Sequence, residues 1–312
     1  MLESPLGLLS HLWLREPDSA ALDDCRKLPS VGLHAGEPAA MAAAYADLFL
    51  LNVYPYGTAF SDPSGELGGP SAEWAARRYE ERGFRPPELC EVGAPDHVGL
   101  CLGFLDHLAS RGETDVEFSS FVLEWVPIAC LAVERELSVH PFYRAVAAAT
   151  RDRVLDDALL CHSEERASPC HSEERSDARD DTTVADEEEI SLSNVLRFLL
   201  APARSGLFLS RAKLGQLARS AGMRLPFGSR FDVAHLLFQT AGESGKVGAL
   251  LELLLEEVGA WETAYRASAE AHPRWAPAAA RWLARTGETR RRLGEMRGIL
   301  ENPPELELGS GG

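Results

Sequence analysis

Apolar residues in this chain recur at intervals of three and four, and no stretch alternates residue by residue between hairpin turns. Val98, Cys101, Leu102, Leu105 and Leu108 form one such stripe, and Phe118, Phe121, Val122, Trp125, Ile128 and Ala132 form another. Leu250, Leu251, Leu254, Leu255, Val258 and Trp261 form a third. That period places side chains on one face of a helix, whereas a half-buried strand needs a period of two. Alanine, leucine, glutamate and arginine dominate, which reinforces the choice. The fold class is all-α, and 312 residues suffice for one large domain or two ordinary ones.

Breakers and caps divide the chain. Helices are predicted over 6–14, 20–28, 38–52, 72–82, 98–108 and 118–136, and from Pro141 to about Leu155. Pro127 falls inside one of them and predicts a kink or an early break. Between the third and fourth, Val53-Tyr-Pro-Tyr-Gly-Thr-Ala-Phe60 puts aromatic and proline residues in a loop, where apolar surface is either folded back or used for binding. Residues 156–189 carry 13 acidic and 3 basic residues and a duplicated Cys-His-Ser-Glu-Glu-Arg unit. Two Cys-His pairs suggest zinc, but neighbouring side chains diverge, and the near absence of large apolar residues predicts a disordered acidic linker. Helical patterning resumes at Ile190 and continues to Leu300. The predicted organisation is therefore a helical domain over 1–155, a linker over 156–189, a C-terminal helical region over 190–300 and a flexible tail over 301–312.

Glu91-Val-Gly-Ala-Pro-Asp-His97 precedes the first stripe and reads as a helix entrance. Pro95 suits the first helical position, and Asp96 places a carboxylate near the positive end of the macrodipole. His97 then falls in the first turn on a polar shoulder. Such an acid–imidazole pair anchors a ligand, orients a partner, or only caps the helix, and local chemistry leaves all three open.

Net charge is −17, but ten of those charges sit in the 156–189 segment, so the remainder is only mildly acidic. This argues against a general nucleic-acid binder. The N-terminal apolar run lacks a basic flank and is broken by His11, and no other apolar run reaches membrane length without a charge. Neither a secretory signal nor an integral membrane segment is expected, and a cytoplasmic location follows. Six cysteines show no Cys-x-x-Cys pair, and Cys101 and Cys130 lie within apolar patterns, so reduced thiols are expected.

Taken together, the motifs resemble the TorD/DmsD/NarJ family of redox-enzyme maturation chaperones. The resemblance runs through Leu48-Phe49, Pro55-Tyr56, Tyr79 with Gly83, and Glu91-x-x-x-Pro95-Asp96-His97. Trp125-x-Pro127 and His140-Pro141-Phe142-Tyr143 complete it, all within residues 6–155. The family often has a glutamate after Pro-Tyr, where Gly57 stands here. From Ile190 onward the chain looks like an extension of longer members, with Ser205-Gly206-Leu-Phe-Leu-Ser210 and Pro226-Phe-Gly228 the recognisable parts. The resemblance implies a TorD-like helical bundle that binds and does not catalyse, with no cofactor of its own. Its partner would be the immature catalytic subunit of a molybdenum-cofactor oxidoreductase, met through a twin-arginine signal peptide, the apo-enzyme, or both. The implied client-binding residues are Phe49, Pro55, Tyr56, Glu91, Pro95, Asp96, His97, Trp125, Pro127, His140, Pro141, Phe142 and Tyr143. Phe49, Tyr56, Trp125 and Phe142 would supply apolar walls and Asp96 a polar anchor.

Two rivals remain at this stage. A di-iron bundle enzyme needs repeated Glu-x-x-His, and no glutamate here has a histidine three residues on. Cys90, His97, Cys101 and His107 supply other metal-type groups, although Cys101 belongs to the apolar stripe. A helical scaffold or adaptor would use the C-terminal helices, where Arg290-Arg291-Arg292 is more simply a solvated face.

Overall fold

Ser4 accepts a hydrogen bond from the Gly7 N–H at 2.9 Å, and Pro5 fills the first helical position, so α1 (Pro5–Leu14) starts where the sequence supplies a cap. Asp18 caps α2 (Ser19–Asp24) in the same way, and prolines open α3 (Pro29–Gly32) and α4 (Pro38–Tyr45). The helix predicted over 38–52 is thus divided. A π turn over Ala46–Leu50 follows α4, and Met41, Tyr45, Leu48 and Phe49 are all buried. The remaining first-half helices are α5 (Gly57–Ser61), α6 (Pro70–Glu81), α7 (Val98–Ser110), α8 (Val116–Glu134) and α9 (Pro141–Leu155). The second half comprises α10 (Leu192–Leu200), α11 (Pro202–Ser205), α12 (Arg211–Ser220), α13 (Arg230–Glu243), α14 (Val247–Ala271) and α15 (Ala276–Glu301). These elements come from a computed structural model that describes residues 4–64, 67–86, 88, 92–156, 191–224 and 228–302. No strand occurs among the described residues, so the all-α expectation holds. The predicted acidic linker lies, apart from Asp156, outside them, as do Cys90, Cys161 and Cys170.

Close packing of α1 on α7 is set by glycine. A Cβ on Gly99 would lie 2.7 Å from the Ser10 carbonyl oxygen and 2.5 Å from Leu14, so only a bare backbone fits. The Ser10 hydroxyl uses that closeness to donate to the Gly99 carbonyl at 2.7 Å. Trp13, on the same face of α1, donates from its indole to Thr150 of α9 at 2.9 Å.

Helix α8 is the spine. Phe118, Val122, Trp125, Val126 and Ile128 are buried, and among the described residues it alone is long and apolar enough to cross a membrane. It runs unbroken through Pro127, so the predicted break does not occur. The proline has no N–H to give the Leu123 carbonyl four residues earlier, and its ring crowds that oxygen. The second half supplies the missing donor. Trp275 Nε1 donates to Leu123 O at 3.2 Å, and Trp282 Nε1 donates to the next carbonyl, Glu124 O, at 3.0 Å. Both indoles are buried.

Other contacts fasten the halves together. Arg135 reaches Glu257 at 2.8 Å, Lys213 meets the same carboxylate at 3.1 Å, and the Arg135 guanidinium lies 4.8 Å from the Trp261 ring centroid. Phe208 stacks on Phe60 at 5.2 Å. Ser205-Gly206 also acquires a reason. Gly206 ends α11 at φ +70°, 2.8 Å from Thr286 by its absent Cβ, while Tyr265 donates to the Gly206 carbonyl at 2.7 Å.

The Pro127–tryptophan arrangement makes a quantitative prediction. Trp275→Phe removes the indole donor from the part-buried Leu123 O and should cost about 0.5–1.5 kcal/mol in urea unfolding. In a Pro127→Ala background the helix recovers its own N–H donor, so the same substitution should cost less, with a coupling of at least about 0.5 kcal/mol. Equal costs in both backgrounds would show that the indole is not compensating for the proline.

Candidate functional site

The helix entrance differs from its sequence reading. Helix α7 begins at Val98, not at Pro95, and His97 is its N-cap, with Nδ1 accepting from Gly99 N at 3.0 Å. Asp96 lies outside the first turn and caps a different helix. Its Oδ2 accepts from Thr58 N at 2.6 Å, and its carbonyl accepts from Gly57 N at 2.9 Å, so both bonds close the start of α5. Val98 N returns a bond to Pro55 O at 2.8 Å, and Tyr56 pairs with His97 in an isolated antiparallel bridge. The Pro55-Tyr56 loop and the Asp96-His97 pair, 40 residues apart in sequence, are thus one interlocked unit.

That unit is buried. Asp96 is 0% and His97 2% exposed. Burial pushes the Asp96 carboxyl above its ordinary value, against the pull of its bonds from Thr58, and pushes His97 down to about 3. His97 is therefore neutral at physiological pH and does not lend Asp96 a titrating partner. The T-shaped Tyr56–His97 ring pair, 5.0 Å apart, covers the imidazole, and Tyr56 donates from its hydroxyl to Val92 O at 2.8 Å. Among the described residues, Asp96 Oδ1 and Trp125 Nε1 have no hydrogen-bond partner. A Cβ on Gly57 would lie 3.0 Å from the Trp125 indole, so the tryptophan lies flat against a glycine where the resembled family often carries glutamate.

The four expected walls do not come together. Phe49 packs with Trp13, Tyr45 and Tyr143, Trp125 with Phe60 and Phe121, Phe142 with Tyr143, and Tyr56 with His97. Phe49, Pro55, Trp125, Pro127, Phe142 and Tyr143 are all buried. Large apolar side chains at helical spacing satisfy the core first, and only a residue in excess of that demand reaches the surface. Tyr56, Pro95 and His140 are half-buried and Pro141 is exposed. His140 repeats the cap of His97, accepting from Phe142 N at Nδ1. Glu91 lies outside the described residues. The aromatic segment 53–60, expected as a loop, is helical from Gly57 onward as α5 and is folded back, with Phe60 packed on Trp125 and Phe208.

The surface feature that sequence reading missed lies on the outer side of α8. Trp74 of α6 stacks on buried Phe118 at 5.8 Å and leans on Phe121 at 5.2 Å, and Trp74 and Phe121 are half-buried at the rim of a shallow groove. Val116, 59% exposed, extends its floor, and Ser71, Ser120 and Glu117 edge it. Beneath it Asp115 caps α8 through Phe118 N and binds Arg78 at 2.7 Å. Burial opposes the Asp115 charge, but the guanidinium wins and holds the carboxyl below its ordinary value. Trp74 and Phe121 lie on apolar stripes, so periodicity alone assigns them to the core; the signal was the acidic Glu117 beside them. Among the described residues no group of three His, Cys, Asp or Glu is placed to hold a metal ion, and Cys25, Cys101 and Cys130 are free thiols.

Two measurements test this geometry. Unfolded His97 titrates near its ordinary 6.5 and folded His97 near 3, so the unfolded chain binds the extra proton between those values. Stability from His97 is therefore complete above pH 6.5 and falls as pH drops toward 3, by up to about 1.4 kcal/mol per pH unit. His97→Asn keeps a side-chain cap and should flatten the slope of unfolding free energy between pH 7 and 5; an unchanged slope would exclude His97 as its source. Separately, Gly57→Ala should lower stability by about 1–3 kcal/mol through collision with Trp125, read as a shift of the urea midpoint at constant m.

A model of the nitrate reductase delta subunit family matches residues 19–122, about a third of the chain, a span that holds α2 to α7 and the start of α8. No curated protein and no solved structure matches. The interlocked Pro55-Tyr56 and Asp96-His97 unit and the Trp74–Phe121 groove both fall inside the matched span. Over residues 19–122 the chain is similar to the nitrate reductase delta subunit family, which supports the resemblance to the NarJ/TorD-type chaperones of redox-enzyme maturation.

Proposed function

We propose that this protein is a cytoplasmic, non-enzymatic chaperone for the catalytic subunit of a molybdenum-cofactor oxidoreductase. It binds the immature subunit through a twin-arginine leader, the apo-enzyme, or both, and assists cofactor insertion and assembly before export. The observation that carries this reading is the position of the Trp74–Val116–Phe121 groove within the span that matches the nitrate reductase delta subunit family.

A leader that joins an arginine pair to an apolar helical segment needs apolar walls and anionic groups beside them. Trp74, Phe121 and Val116 supply the first. Glu117, whose side chain is 70% exposed and only 3.5 Å from Arg78, supplies the second. In this reading Tyr56, Pro95, His140 and Pro141 are the members of the resembled motif that reach a client directly. Buried Phe49, Pro55, Asp96, His97, Trp125, Pro127, Phe142 and Tyr143 act by holding the surface in shape. An interaction of micromolar strength, about −8 kcal/mol, needs only a small interface of this kind.

Val116→Asn is the cleanest test, because Val116 is exposed and the change removes apolar floor without adding a charge that would itself attract the arginine pair. It should weaken binding of a fluorescent twin-arginine leader peptide at least about tenfold, the equivalent of 1.4 kcal/mol, while the thermal melt is unchanged. Glu117→Lys should weaken the same peptide but not one whose arginine pair is replaced by glutamine. Binding equal to the parent in both variants would move the client off this groove.

A further inference from the structure

A second groove lies outside the family-matched span and has the opposite electrostatic character. It runs between α10 and the last turns of α15, with Val195, Phe198, Met296 and Ile299 on its floor. The apolar strip continues past it onto exposed surface at Leu192 (36%), Ile299 (52%) and Leu300 (49%). Three guanidiniums stand in its wall, those of Arg204, Arg291 and Arg292, against one carboxylate, Glu295. In a chain with a net charge of −17 this is a local reversal of sign.

The reversal is accessible. Arg292 lies over the Phe198 ring, 4.2 Å from its centroid, so its charge faces the floor. Arg291 and Arg292 share Glu288, and Arg291 also meets Glu295, but these are exposed pairs along one helix, which solvent and salt weaken and a competing carboxylate displaces. Arg204 is exposed and has no ion pair among the described residues. Ser191, the N-cap of α10, also lines the groove, so the positive end of that nine-residue helix adds to the field.

We propose that this groove docks an acidic amphipathic helix of a partner protein. Leucines of that helix sit on the Val195–Phe198–Met296–Ile299 floor, and its carboxylates meet Arg204, Arg291 and Arg292. An apolar groove walled by helical segments suits a further amphipathic helix laid in it. The same guanidiniums repel an arginine-bearing leader, so this surface takes a different partner from the Trp74–Phe121 groove, and it stands whether or not the client reading is right.

The test is fluorescence anisotropy with the full chain and two labelled 18-residue helical peptides, identical except that one pairs its leucines with glutamates and the other with lysines. The glutamate peptide should bind at least about tenfold more tightly than the lysine peptide and weaken as salt is raised. Arg204→Glu and Met296→Glu should each weaken it about tenfold or more, while Val116→Asn in the first groove leaves it unchanged. Equal binding of the two peptides, binding of neither, or parent-like binding in both groove variants overturns the proposal. Sedimentation with phosphatidylglycerol vesicles that the peptide does not displace, lost in the same variants, overturns it in favour of a lipid surface. If the intact chain ignores the peptide while a chain ending at Asn302 binds it, residues 303–312, with their Glu-Leu-Glu-Leu run, fill the groove instead of a partner, and the proposal likewise fails.

Discussion

A carbonyl oxygen turned away from water without a donor is destabilising, and the central helix of this protein deprives the part-buried Leu123 carbonyl of its helical donor by carrying Pro127. The second half of the chain answers it. Trp275 and Trp282 deliver indole N–H groups to Leu123 and Glu124, and in doing so bring two large aromatic side chains to the contact between halves. The Glu257 carboxylate, shared by Arg135 and Lys213, and the Phe60–Phe208 stack fix the remaining freedom. The two halves are therefore joined through the least replaceable positions of the spine.

The same economy governs the Asp96-His97 pair. Both side chains serve as caps, one for its own helix and one for a helix 38 residues earlier, and both are removed from solvent to do it. A buried aspartate whose bonds come from backbone N–H groups at a helix start holds a loop rigidly, since releasing it strands both a carboxylate and its donors. What it positions is the Pro55-Tyr56 segment, on which Trp125 rests through the bare face of Gly57. Function then falls to what the rigid frame leaves outside: half-buried aromatic groups beside a carboxylate on the outer side of α8, and an apolar groove rimmed by guanidiniums at the end of α15. Those two surfaces differ in sign, so the two partners proposed for them would be told apart by repulsion as well as attraction.

Periodicity and capping chemistry in the sequence were enough to dictate the helices. Ser4, Asp18, Ser191, Ser210 and Ser229 all cap where a polar residue precedes an apolar stripe, because a helix start needs acceptors for its first N–H groups whatever surrounds it. The family motif was likewise legible, since it consists of residue types at fixed separations. Local rules erred where a residue's partner is remote. Asp96 looked like the first turn of its own helix because sequence cannot show that Thr58 waits across the fold. Pro127 left a kink or an early break open, and the break does not occur; the tryptophans that serve the unbroken helix arrive about 150 residues later. Trp125 and Phe142 looked as much like groove walls as core, for a helical stripe has no label saying which of its residues the neighbouring helices will cover.

Sequence by itself determined the broad local states: which segments are helical, and which residue types recur in a recognisable order. Those follow from backbone geometry and near-neighbour hydrogen bonding, which act within a few residues. Only the tertiary structure decided exposure, the identity of each buried polar group's partner, and hence which side chains face solvent. Burial is a property of the whole packed chain, and a single long-range contact such as Phe208 on Phe60 or Trp275 on Leu123 reassigns a residue from surface to core.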